Sequence, residues 1–171
     1  MKSIINLIIS IAVFLFAVFI AGATEIDIVL KAVVLAFTIQ WVAFLPAYIF
    51  QTEKFYDLTG SLTYLTVMWY ALALTSNHFS DVSISNITIV LLITIWALRL
   101  GSFLFMRIHK DGEDKRFRSI KPSPSQFFMT WTLQGLWVSL CSMCALTAIS
   151  SEPGVVINTL FFFGLLLFIY G

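Results

Sequence analysis

The sequence predicts an all-α protein, a polytopic transmembrane bundle of six apolar helices. Hydrophobic residues make up 60% of its 171 residues and charged residues only 11%, whereas soluble domains average about 25% charged residues. The mean hydropathy is +0.96. Six apolar runs alternate with short polar links, and about 20 apolar residues are enough to cross the hydrocarbon core of a bilayer. We expect a single transmembrane domain over residues 1–171, embedded in a lipid bilayer and with no nucleic-acid partner.

The six spans follow one another closely along the chain. In the first, the stretch from Ala21 to Ala23 resembles a signal-peptide cleavage site, so a cleaved signal is an alternative to a retained span. In the second, Gln40 lies mid-span and is expected to hydrogen-bond a neighbouring helix. Pro46 is expected to kink the same helix because it lacks a backbone N–H. The predicted spans cover residues 4–24, 28–50, 61–79, 84–108, 126–149 and 155–170.

The link after the fourth span, residues 109–124, is a loop dense with basic residues. Gly112 is expected to end the fourth helix, and Ser125 to cap the fifth. Further basic residues occur at the N-terminus and after the second span, on the same side of the membrane if every span crosses. The positive-inside rule therefore places the N-terminus and this loop in the cytoplasm. The membrane would be a bacterial inner membrane or the endoplasmic reticulum.

Arg99 and Arg107 lie eight residues apart on the fourth span. In a helix they are separated by about 12 Å in height and about 80° around the axis. A charged side chain inside a span is costly and usually marks a functional site, so we expect an anion-binding wall suited to a cofactor phosphate or a carboxylate. The alternative is that both side chains extend to the lipid headgroups. Gly101 points nearly the opposite way, which allows another helix to approach closely.

The stretch KDGEDKRF, residues 110–117, mixes acidic residues and glycine into the basic loop. Asp111 is four residues after Arg107 and is expected to pair with it. Asp114 is expected to hold one of the cations that follow it, which are Lys115, Arg116 and Arg118. This pattern favours a folded loop with defined partners, and a plain solvated loop is the alternative.

Carboxylates and tyrosines gather where the second and third spans meet the loop between them. Glu53 and Asp57 lie at this mouth, and Tyr56 and Tyr64 are candidate proton donors. A tyrosine beside a carboxylate can polarise a carbonyl group. Tyrosine is also common at membrane interfaces, which is the structural alternative.

Other polar groups in the apolar runs are given structural roles. Cys141 and Cys144 have CxxC spacing, but with no second pair and no neighbouring histidine they are expected to be small packing residues. Asn86 begins a glycosylation sequon that abuts the membrane, so no modification is expected there. His78 and His109 are solitary and fall on opposite sides of the membrane.

The region from the fourth to the fifth span resembles an uncharacterised membrane family related to the C-terminal domain of steroid 5-alpha-reductases. In that family a fourth-span pattern RxGxFLxxRI leads into DGxDxRF and then into an aromatic fifth span with QGLWV. The earlier stretch FYDLTGSLTY, residues 55–64, also resembles a family signature. The matching residues of the first three patterns are Arg99, Gly101, Phe103, Leu104, Arg107, Ile108, Asp111, Gly112, Asp114, Arg116, Phe117, Gln134, Gly135, Leu136, Trp137 and Val138.

This resemblance implies a membrane bundle of seven or more helices that uses NADPH to reduce a conjugated double bond of a lipid or steroid-like molecule. The cofactor would enter from the cytoplasm, and a tyrosine with a Gln/Glu pair would activate the substrate carbonyl. The residues carried over as cofactor-binding are Arg99, Arg107, Asp111, Lys115 and Arg116. The residues carried over as catalytic are Tyr64 or Tyr56 as proton donor, with Glu53 or Asp57 orienting it.

The family continues with an acidic stretch and an RHPNY-like motif that this sequence does not contain, so a chain truncated at its C-terminus is expected. Two other functions are left open. One is an isoprenylcysteine-type membrane methyltransferase that uses S-adenosylmethionine. The other is a non-enzymatic membrane scaffold or transporter subunit.

Overall fold

The computed structural model describes residues 1–75, 83–151 and 155–170. Within these ranges the chain is helical, which confirms the predicted all-α fold. A short 3-10 helix, Lys115–Arg118, lies between the fourth and fifth α-helices. The α-helices are α1 (Lys2–Gly22), α2 (Asp27–Ile49), α3 (Tyr56–Leu74), α4 (Ile84–Asp111), α5 (Pro124–Ser150) and α6 (Thr159–Tyr170).

Four of the helices, α1, α2, α4 and α5, are long and apolar enough to cross a membrane. The prediction of six spans is therefore corrected to four candidate spans in the described residues, and these four indicate a membrane protein. Helix α3 falls outside the set because its first half is rich in hydroxyl side chains. Helix α6 is apolar but shorter, with 12 residues up to Tyr170, the last residue that the structure describes.

The limits of two predicted spans move by four or five residues in the structure. The third was predicted over residues 61–79, whereas α3 starts at Tyr56 and ends at Leu74. The end of that predicted span, together with His78 and part of the link that follows, lies outside the described residues. The sixth was predicted from residue 155, whereas α6 starts at Thr159.

Helix α5 is the centre of the bundle, since it packs against α1, α2 and α3. The ring of Phe37 in α2 lies against Gly135 in α5, where an added Cβ would come within 3.0 Å of the ring. Phe14 of α1 and Trp41 of α2 extend this contact, with ring centroids 5.0 Å apart. Helix α4 sits at the edge of the bundle and packs mainly against α3.

Polar side chains join the helices at several depths. Gln40 Nε2 donates a hydrogen bond to Thr63 Oγ1 at 2.8 Å, which confirms the predicted contact with a neighbouring helix. At the opposite end of the bundle from the basic loop, Asn86 Nδ2 donates to the carbonyl oxygen of Ile149 at 3.2 Å. Asn86 Oδ1 accepts from the backbone N–H of Val155 at 3.1 Å. This buried side chain ties α4 to the end of α5.

The predicted end of α4 is confirmed, whereas the predicted N-cap of α5 is wrong. Gly112 follows α4 with a φ of 82°, a conformation that favours glycine. Helix α5 begins at Pro124, with Ser123 rather than Ser125 as its N-cap, because proline is favoured at the first helical position. Ser125 is buried instead, and its Oγ accepts a hydrogen bond from Asn6 Nδ2 at 3.2 Å.

The predicted close approach at Gly101 is present between α3 and α4. A Cβ added to Gly101 would lie 2.7 Å from the Cβ and Oγ atoms of Ser61. Contacts this short between backbone-proximal atoms force the two helices apart, because packed interiors have little free volume.

We predict that Gly101→Ala lowers the free energy of unfolding by about 1–3 kcal/mol, the usual cost of overpacking. Gly164→Ala is the matched control, since a Cβ there meets nothing within 4 Å. The measurement is the thermal unfolding midpoint in detergent. Adding Ser61→Gly to Gly101→Ala should restore part of the loss, and equal midpoints for the two alanine variants would contradict the packing argument.

Candidate functional site at the charged end of the bundle

The ends of α2 and α4 and the starts of α3 and α5 meet at one end of the bundle, here called the charged end. The loop of residues 112–123 covers this end and forms an open cleft with the last turns of α4. The cleft has a volume of about 730 Å³. Its lining includes four of the predicted cofactor-binding residues, Arg107, Asp111, Lys115 and Arg116, together with Ile108, Glu113, Asp114 and Arg118.

The 3-10 helix in this loop is anchored by Phe117. Its side chain is only 3% exposed, and its ring centroid lies 5.0 Å from that of Tyr56 and 6.0 Å from that of Phe127. With Phe117 held under the loop, the side chains of Arg116 and Arg118 stay largely exposed. The single aromatic residue of KDGEDKRF therefore keeps the cations around it at the surface of the cleft.

Acidic residues within the loop hold two of its arginines. Asp114 Oδ1 accepts hydrogen bonds from the backbone N–H and the Nε of Arg116, both at 3.0 Å, which confirms the prediction that Asp114 holds a following cation. The Arg116 guanidinium holds the pKa of the Asp114 carboxyl below its ordinary value. Glu113 pairs with Arg118, and this contact likewise lowers the pKa of Glu113.

Glu53 fastens both ends of the loop to the bundle. Its side chain is 2% exposed. Glu53 Oε1 accepts a hydrogen bond from the backbone N–H of Asp114 at 3.0 Å, and Oε2 pairs with Lys121 Nζ at 2.5 Å. The structure therefore places this predicted catalytic residue beneath the loop, with its two oxygens occupied by loop contacts.

Asp57 lies in the first turn of α3 and faces Arg107 in the last turns of α4. The nearest atoms, Asp57 Oδ2 and Arg107 Nη2, are 3.9 Å apart. Arg107 therefore faces an acid on the neighbouring helix and not Asp111, the predicted partner one turn along its own helix. The reason is the packing of α3 on α4, which brings the start of one helix to the end of the other.

Tyr56 is engaged in holding α3 to α5. Its hydroxyl donates a hydrogen bond to the backbone carbonyl of Thr130 at 3.0 Å. Its ring lies edge-on to that of Trp131, with centroids 5.2 Å apart. Gln134 Nε2 in turn donates to the backbone carbonyl of Tyr56 at 3.0 Å. The hydroxyl of Tyr56 therefore has a hydrogen-bond partner in the protein. Tyr64, the other predicted proton donor, differs in this respect.

Tyr64, two turns further along α3, has a buried hydroxyl that makes no hydrogen bond within the described part of the chain. The residue is 6% exposed, and its ring meets that of Trp96 edge-on with centroids 5.1 Å apart. Tyr64 lines a separate cavity of about 360 Å³, which lies between α3, α4, α5 and α6. The other lining residues are Ile93, Trp96, Trp137, Cys141, Ser142 and Phe168.

Arg99 does not line the cleft at the charged end. It is exposed and borders a surface depression of about 370 Å³, together with Trp96, Leu100 and Phe103. On the helix it lies about 12 Å from Arg107. The structure thus brings together four of the five predicted cofactor-binding residues. The fifth, Arg99, lies on α4 between the cleft and the Tyr64 cavity.

The role of Lys121 and the aromatic walls of the Tyr64 cavity could not be predicted from the sequence. Lys121 is one of several cations in its loop, and nothing in its neighbourhood points to Glu53, which is 68 residues away. Trp96 and Trp137 are mid-helix aromatic residues in apolar runs. Only the helical spacing of Trp96 and Arg99, three residues apart on one face, could have drawn attention to this part of α4.

A family model described as "Protein of unknown function (DUF1295)" matches residues 43–171 of the chain. The match covers well over half of the sequence. The chain belongs to the DUF1295 family. The DUF1295 region contains every predicted site residue, whereas α1 and most of α2 precede it. No curated protein and no solved structure matched the chain.

We predict that Glu53→Gln loosens the loop of residues 112–123, because the neutral amide cannot balance the charge of the largely buried Lys121. A hydrogen bond to a charged group contributes about 1.5–3 kcal/mol, so local opening should become roughly ten-fold or more frequent. Limited trypsin digestion would detect this as faster cleavage within the loop. Glu113→Gln is the control, since it removes an exposed pair of small stabilising effect, and equal cleavage of the two variants would refute the anchoring role.

A second prediction concerns pH. The folded-state pKa of Asp114 lies below its ordinary value, so its carboxylate stabilises the folded loop above the ordinary pKa, and this stabilisation is lost as the pH falls through the lowered pKa. The thermal midpoint of the unmodified protein should exceed that of Asp114→Asn at neutral pH. The difference should shrink below about pH 4. A difference that stays constant from pH 7 to pH 3 would contradict the prediction.

Proposed function

We propose that this DUF1295 protein is a membrane-embedded NADPH-dependent reductase that acts on a conjugated double bond of a lipid or steroid-like molecule. The observation that carries the proposal is one face of α4, which runs from the basic cleft to the apolar cavity of Tyr64. At its two ends this face offers the groups that an anionic cofactor and an apolar carbonyl compound require.

The face is formed by Trp96, Arg99, Phe103 and Arg107. Their spacing of three, four and four residues keeps them on one side of a helix. Trp96 borders both the Tyr64 cavity and the depression of Arg99, and Arg107 borders the cleft. Eleven residues separate the two ends of the face, a rise of about 16 Å. An extended molecule lying along it would contact the cleft, Arg99 and the cavity in turn.

The cleft suits the phosphates of a dinucleotide. Arginine binds phosphate through paired N–H groups and lysine through a point charge, and the cleft contains Arg107, Lys115, Arg116 and Arg118. Arg99 would hold a further anionic group nearer the cavity, and Asp111 can accept a hydrogen bond from a ribose hydroxyl. NADPH, when bound, would supply the hydride from its nicotinamide ring.

Tyr64 would act on the substrate carbonyl. Its hydroxyl is buried in an apolar cavity and makes no hydrogen bond to the described residues, so it can donate to a carbonyl oxygen and supply a proton as charge develops there. Tyr56 is less suited to this role, because its hydroxyl is bound to Thr130. The roles of Glu53 and Asp57 in orienting the proton donor stay predictions. Glu53 lies about three helical turns before Tyr64 along the chain, and Asp57 about two turns before it.

We place the charged end in the cytoplasm. Lys54 and the basic loop lie at this end, and cytoplasmic loops carry an excess of lysine and arginine. This orientation gives a cytoplasmic dinucleotide access to the cleft, while the apolar cavity faces helices that can cross the bilayer.

We predict that the purified full chain in lipid nanodiscs binds NADPH, and that Arg99→Ala weakens binding about ten-fold or more because a charge-assisted hydrogen bond is lost. Lys31→Ala is the control, since it removes one exposed positive charge from the start of α2 at the other end of the bundle. Binding would be followed by quenching of tryptophan fluorescence.

S-adenosylmethionine is titrated in parallel. Binding of this ligand in place of NADPH would replace the reductase proposal with a methyltransferase, and binding of neither would favour a scaffold or transporter subunit. Unchanged NADPH affinity in folded Arg99→Ala would remove Arg99 from the site.

A further inference from the structure

Cys141 lies on α5 at the wall of the Tyr64 cavity. It is a free and exposed thiol. Cys144, one turn further along α5, is also free and exposed but does not border the cavity. The two cysteines therefore share a helix, a chemical type and an exposed position, and they differ in whether a molecule in the cavity can touch them.

The second observation is the orphaned hydroxyl of Tyr64 in the same cavity. This side chain is more than nine-tenths buried, and its Oη makes no hydrogen bond to any described residue. Cys141 lines the same cavity, but a thiol is a weak hydrogen-bond partner. A buried donor left unpaired is destabilising, so a ligand with a carbonyl oxygen would be stabilised at this position.

The mouth of the cavity is in the apolar part of the bundle. Trp137 is 67% exposed and Trp96 is 37% exposed, and both belong to helices that can cross a membrane. Besides Tyr64, the wall contains three aromatic side chains, those of Trp96, Trp137 and Phe168. Such a cavity would admit an apolar molecule from the bilayer rather than a charged one from water.

We propose that Cys141 is a covalent modification site for α,β-unsaturated carbonyl compounds dissolved in the membrane. Tyr64 holds the carbonyl oxygen by donating a hydrogen bond. The sulfur of Cys141 forms a bond to the β-carbon, the π electrons of the double bond shift toward the carbonyl, and the thiol proton ends on the α-carbon. The product is a saturated thioether adduct, and the addition requires no oxidant or reductant.

This inference goes beyond the proposed reductase activity, although both assign Tyr64 to a carbonyl oxygen. The addition consumes no cofactor, so it can be tested with NADPH absent. Failure of NADPH to bind would leave the modification site standing, and failure of the modification would leave the cofactor experiment unaffected.

The experiment exposes the full chain in phosphatidylcholine nanodiscs to 2-nonenal, an apolar enal, or to methyl methanethiosulfonate, which modifies thiols without using a carbonyl. Peptide mass spectrometry gives the extent of reaction at Cys141 and at Cys144. Nonenal should react more with Cys141 than with Cys144. We expect this ratio to be about ten-fold larger than the same ratio for the thiosulfonate, because one hydrogen bond to the carbonyl provides a factor of that size.

Tyr64→Phe should remove most of this preference and leave the thiosulfonate reaction at both cysteines unchanged, and its thermal unfolding midpoint in detergent shows whether the variant is folded. Phe168→Ala, which removes one wall of the cavity without touching the donor, should lower the nonenal reaction at Cys141 as well. Equal nonenal reaction at the two cysteines, or full preference retained in folded Tyr64→Phe, would overturn the proposal.

Discussion

The carboxylate of Glu53 holds the loop of residues 112–123 against the start of α3, and the charged end depends on this contact. Burial of an acid is costly unless its oxygens are paired. Here one oxygen accepts from the backbone of Asp114 and the other pairs with Lys121, so the loop is held near its beginning and near its end. Phe117 fixes the middle. With three fixed points, the cations of the 3-10 helix line one side of a cleft whose other side is α4.

The cations of this end would repel one another without the acids placed among them. Arg107 faces Asp57, Arg116 is held by Asp114 and Arg118 by Glu113. Most of these guanidinium groups are exposed, so each pair adds little to stability, but together they keep the loop folded when no anion is bound. A phosphate would compete with these carboxylates for N–H groups that are already oriented. We therefore expect a bound anion to replace these carboxylates as the partner of the guanidinium groups, with limited rearrangement of the loop.

Much of this arrangement could be predicted from the sequence, and the limits have physical causes. Local patterns sufficed for the helices, for the end of α4 at Gly112, and for the partner of Asp114, since each depends on residues within a few positions. The close approach at Gly101 followed from its position opposite Arg99 and Arg107 on α4. The pairing of Glu53 with Lys121 and of Arg107 with Asp57 depends on how α3, α4 and the loop pack, which no local pattern encodes. The prediction of six spans rested on apolarity alone, whereas four of the six helices in the described residues have both the length and the hydropathy of a candidate span.

Within the described residues, two groups on either side of Trp96 have no ion-pair or hydrogen-bond partner from the protein. Arg99 lies about 18 Å along α4 from its end at Asp111, and a charge at that depth in a membrane costs several kcal/mol unless it is paired or reaches the headgroups. Tyr64 carries a buried hydroxyl that makes no hydrogen bond to any residue that the structure describes. An anion would pair with Arg99, and a hydrogen-bond acceptor would pair with Tyr64. Trp96 lines both the depression beside Arg99 and the cavity of Tyr64. In the proposed reductase, these two requirements would be met by two ligands that meet at Trp96, an anionic one from the charged end and an apolar carbonyl compound from the bilayer.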